Sequence, residues 1–87
     1  MVATAAAAAP LSAADEASAE QAETTCRIVA QEQSLSGRAL DASVSQCVAQ
    51  ENPAFAYWEQ CRQSARHRHL KGVALRGAVA YCMSREL

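Results

Sequence analysis

The chain has 87 residues, of which 51% are hydrophobic and 20% charged, with a formal net charge of −1. That length holds one domain, and much of the apolar content is alanine, so the core must be thin and needs a staple. No run of about 18 apolar residues exists, which excludes a transmembrane helix, and the near-neutral charge argues against nucleic-acid binding.

Residues 1–11 contain no Lys or Arg and are mostly small and apolar. They read as a secretory leader lacking its basic front, which the small-residue run Ala5-Ala6-Ala7 suits, or as a flexible tail. Residues 12–87 are expected to form a single helical domain. Ser12 is an N-cap, with Asp15 and Glu16 placed favourably at a helix N-terminus. The first helix is expected over 13–35, rich in Ala, Glu and Gln. Its first half has almost no large apolar residue and is expected to fray or project beyond the core. Leu35-Ser36-Gly37 ends it, with Gly37 as the left-handed residue after the last turn. The second helix, over 39–50, carries the stripe Leu40, Val44, Cys47 and Val48. Asn52 and Pro53 cap and open the third, over 53–70, with Trp58, Cys61 and Ala65 on one face. Leu70-Lys71-Gly72 is a second stop. The fourth helix, over 73–85, shows Leu75, Val79, Cys82 and Met83. No alternation marks a strand, and the expected class is all-α.

The strongest signal is a duplication. Shifting the chain by 35 residues lays Cys26–Val48 onto Cys61–Met83 without a gap, and nine of the 23 pairs are identical. They are Cys26/Cys61, Arg27/Arg62, Ala30/Ala65, Leu35/Leu70, Gly37/Gly72, Ala39/Ala74, Leu40/Leu75, Val44/Val79 and Cys47/Cys82. A fixed period defines the structural unit: a Cys-to-Cys segment with a glycine near its centre, in two copies over about 24–50 and 53–85.

Each copy reads as helix, tight turn, helix. From Cys26 to the turn is about 15 Å of helix, and from the turn to Cys47 about 16 Å, at 1.5 Å per residue. Antiparallel helices then bring both cysteines to one height, within reach of a disulfide when packing is close. Ala30, Ala39, Ala65 and Ala74 are expected to permit that closeness. We therefore expect Cys26–Cys47 and Cys61–Cys82, and hence an oxidising compartment. If the hairpins stack with all four cysteines at one end, Cys26–Cys82 with Cys47–Cys61 is also open. A four-cysteine metal site is the remaining alternative. Its spacing is against it, because structural zinc draws ligands as short pairs, so no metal or cofactor is expected.

Residues 61–83 carry Arg62, Arg66, Arg68, Lys71 and Arg76 and no acid, whereas 12–25 carry Asp15, Glu16, Glu20 and Glu23 and no base. Arg62, Arg66 and His69 share a helix face. With Lys71 they are candidates for binding a small anion, since Arg suits oxyanions. The plainer expectation is a basic face salt-bridged to the acidic first helix. His67 and His69 point apart and do not form a metal face. Phe55, Tyr57 and Trp58 are expected in the core between the hairpins. No nucleophile elbow, phosphate loop or CxxC motif is present, and no enzyme is expected.

The pattern Cys-x8-Leu-Lys-Gly-x9-Cys, intact at Cys61, Leu70-Lys71-Gly72 and Cys82, resembles the repeat of the PsiF family. Those are small bacterial phosphate-starvation-inducible proteins, usually exported. The first copy matches with Ser36 in place of the Lys. Arg38 and Val73 stand where the family favours an acid, Leu40 and Leu75 where it favours Arg, and Ser43 and Ala78 where it favours an aromatic. Val48 and Met83 replace a Leu. The chain is similar to a divergent member. The resemblance implies a periplasmic or secreted location and a regulatory link to phosphate limitation, and it carries no biochemical activity over to this chain. The resulting expectation is an accessory protein that meets a protein partner in the cell envelope through its basic second hairpin.

Overall fold

A computed structural model describes residues 11–85. It holds four α-helices: α1 (Ala13–Glu32), α2 (Gly37–Glu51), α3 (Ala56–His67) and α4 (Gly72–Arg85), with a 3-10 turn at Pro53–Phe55 before α3. No strand occurs among the described residues. The alanine-rich segment 1–10 lies outside them.

Helix starts follow local chemistry. Ser12 Oγ accepts the Asp15 amide at 3.1 Å, and Asn52 Oδ1 accepts the Ala54 amide at 3.0 Å, so both side chains satisfy otherwise orphaned donors. Helix ends differ from the expectation. α1 stops at Glu32 and α3 at His67, three residues early. Ser34 (φ 66°) and His69 (φ 64°) take the left-handed position. The Leu35 amide reaches back to Ala30 O at 3.1 Å and the Leu70 amide to Ala65 O at 3.2 Å. This six-residue closure satisfies carbonyls of the last turn and sets each leucine over the alanine. Gly37 and Gly72, each at φ 58°, open the helices that follow instead of ending those before.

α1 packs on α2 and α3 on α4 as two antiparallel hairpins, with α3 and the 3-10 turn seated on α2. Cys26–Cys47 and Cys61–Cys82 are the disulfides, both with a Cα–Cα distance of 5.8 Å. The crossed pairing is not formed, and no cysteine is left free for a metal. The core is Cys26, Ala30, Val44, Val48, Phe55, Trp58, Cys61, Ala65, Val79 and Met83, with Ala19. All nine identical pairs share the same degree of burial, as expected if the repeat exists to rebuild one hairpin. Ala39 and Ala74 are exposed in the first turns of α2 and α4 and do not line the helix contact. The first half of α1 is anchored rather than projecting, for Ala19 is fully buried and Leu11 packs against the core.

Candidate functional site

The most chemically loaded place in the fold lies between the hairpins. Ala19, Glu23, Cys26 and Ala30 follow one another at helical spacing, so Glu23 falls on the buried stripe of α1. Glu59, beside Trp58, falls on the buried side of α3. Glu23 is 3% exposed and Glu59 is fully buried.

Two arginines from α3 close on Glu23. Arg62 Nη2 lies 2.9 Å from its Oε1, and Arg66 holds both oxygens at 2.8 Å. Arg62 also stacks 4.8 Å over the Trp58 ring and faces Glu20 at 3.9 Å. Arg27 is 4.0 Å away, one helical turn along α1. Beside this cluster, the Gln63 amide lies 2.9 Å from Glu59 Oε2, 2.8 Å from Ser45 Oγ and 3.0 Å from the Asp41 carbonyl. His67 pairs with Asp41 at 3.0 Å. These contacts lock α3 to α1 and α2.

The two buried acids are driven apart. Burial alone would raise Glu23, but hydrogen bonds from Arg66, Glu59 and Arg62, with the Arg62 charge, outweigh it and bring it down to about 2. Burial, then the hydrogen bond to Glu23 and its negative charge, push Glu59 up to about 8. The Glu23 hydrogen bond in turn holds Arg66 above its ordinary value. One site thus keeps one carboxylate and one neutral acid. Oε1 of Glu59 is buried and receives no donor among the described residues. A proton there makes it the donor toward Glu23, which fits its raised affinity for that proton. A general acid must touch its substrate; Glu59 is sealed from solvent, so this pair is a structural lock.

Of the four anion-site candidates, the fold brings Arg62 and Arg66 together. They already hold a carboxylate, that of Glu23, where an added anion would bind. His69 and Lys71 are exposed in the α3–α4 turn and outside the cluster. The four cysteines pair within their hairpins. The expected bridge from the basic face to the acidic first helix is observed as the Arg62 and Arg66 contacts to Glu23. Sequence reasoning missed the burial of Glu23 and Glu59. For Glu23 the signal was available, because it continues the Cys26–Ala30 stripe.

Among the described residues, no helix is long and apolar enough to cross a membrane. The chain matches no family model, no curated protein and no solved structure.

Proposed function

We propose that the chain is an exported accessory protein, akin to PsiF-repeat proteins, that acts by contact with an envelope partner rather than by catalysis. The observation that supports this is the pair of disulfides closing two copies of one hairpin. Such bonds persist outside a reducing cytosol. The contact surface is the end of the molecule where both hairpin turns lie side by side, as the His67–Asp41 pair requires. Arg38, Arg68, His69 and Lys71 are exposed there. Arg62 and Arg66 are occupied by Glu23 and do not belong to that surface. The partner is therefore acidic.

Fractionation should recover the native protein in the envelope fraction, with no thiol reactive toward alkylation until reductant is added; recovery in the cytosolic fraction with free thiols would remove the compartment. Reversing charge with Arg68→Glu and Lys71→Glu should abolish partner capture while leaving the melting temperature unchanged. Retained capture would remove the surface. Transcript rise on phosphate limitation tests the PsiF link separately.

A further inference from the structure

Burial compared across the 35-residue shift is the same at all but four of the 23 pairs. The exceptions are Ile28/Gln63, Gln31/Arg66, Asp41/Arg76 and Ser45/Ala80. In each pair the half-buried member lies where the hairpins meet: Gln63 and Arg66 on α3, Asp41 and Ser45 on α2. The uncovered members are Ile28 and Gln31 on α1, and Arg76 and Ala80 on α4. Two faces, Ile28 and Gln31 beside the cleft that α1 forms with Arg62 and Arg66, and Arg76 and Ala80 on α4, therefore lack what the α2–α3 contact has.

These two faces complement each other. Within the chain, Gln63 meets Ser45 and His67 meets Asp41. The same register on these faces sets Ile28 against Ala80, an apolar pair, and Glu32 against Arg76, an ion pair. The exposed acids of α1 are Asp15, Glu16, Glu20 and Glu32 against one base, Arg27, whereas α4 carries Arg76 and Arg85 and no acid. Ile28 is 51% exposed on α1, and Ala80 is exposed on α4. A helix as evenly apolar as α4 is ordinarily covered on more than one side, yet its packing is chiefly against α3.

We propose that α4 of one copy packs against α1 of a second copy, remaking between chains the α2–α3 contact within each chain. The two faces differ, so the contact is heterologous, and association closes into a ring or continues. A repeat array needs a polar cap at each end to stop growth, and neither Ile28 nor Ala80 is polar.

Sedimentation of the oxidised full chain over a concentration series reaching millimolar tests this. The apparent mass should rise from 9.2 kDa to at least twice that value. Ala80→Glu and Ile28→Glu, both at exposed positions, should each give monomers with unchanged helix content. Mixed in equal amounts they should associate, because each retains the face the other has lost, and no species above two copies should form. Glu32→Lys and Arg76→Glu provide a second pair: each should associate less than wild type, and their mixture should regain association. A wild-type chain that stays monomeric throughout would overturn the proposal. So would a dimer indifferent to both Ala80→Glu and Ile28→Glu, or a mixture of that pair that fails to associate.

Discussion

At Glu59 a single proton couples folding to pH. In the unfolded chain this carboxyl ionises near the ordinary value of 4.5, and in the folded chain near 8. Below 4.5 both states hold the proton and the contribution to stability is complete. Between 4.5 and about 8 only the folded state holds it, so stability falls as pH rises, by at most about 1.4 kcal/mol per unit. Glu23 has the opposite sign. Its folded value of about 2 lies below 4.5, so its contribution is present above 4.5 and is lost as pH falls toward 2. The urea midpoint of the oxidised protein should therefore peak near pH 4.5 and decline on both sides. Glu59→Gln keeps a donor for Glu23 and an acceptor for Gln63, and should flatten the alkaline limb alone. A limb of undiminished slope in that variant would show that another group drives it. Glu23→Gln should cost about 3 kcal/mol, at the low end for breaking a buried pair, because Arg62 and Arg66 retain some solvent access. Denaturant titration at pH 7 measures it.

At the scale of the element, the three glycines separate into two kinds. Gly37 and Gly72 sit at φ 58° with nothing within 4 Å of an added Cβ, so the barrier to substitution there is conformational and not steric. Gly37→Ala and Gly72→Ala should each cost about 1 kcal/mol. Gly77 lies inside α4, also in open space, and Gly77→Ala should stabilise by about 0.8 kcal/mol from helix propensity. His69→Gly relieves a left-handed histidine and should stabilise by up to about 1 kcal/mol. Thermal melts that moved all these variants the same way would contradict the assignment of the turns. The repeated Leu and Gly were visible in the sequence as a stop signal. The residue that takes the left-handed stop was not, because Ser34 and His69 fill that position and differ from each other.

For the molecule as a whole, each disulfide closes a loop of about 22 residues and contributes roughly 3 kcal/mol in the chain-entropy model. The two together, about 6 kcal/mol, rival the net stability of a small domain. Cys61→Ser with Cys82→Ser should lower the denaturant midpoint by an amount worth about 3 kcal/mol, and full reduction should unfold most of the chain at 37 °C, as read by circular dichroism. Helicity indifferent to reductant on heating would remove the disulfides as the main staple.

The sequence alone determined the all-α class, the two hairpins and the N-caps at Ser12 and Asn52, because spacing and local hydrogen bonding act within a few turns of chain. It left two pairings open, and only the packed hairpins selected the intra-repeat bonds. It also could not reveal that Glu23 and Glu59 meet across 36 residues of chain, nor which carboxylate of the acidic first helix Arg62 and Arg66 would hold. Those outcomes depend on how one hairpin seats on the other. That seating is set by burial and charge balance between residues distant in sequence, which no local pattern encodes.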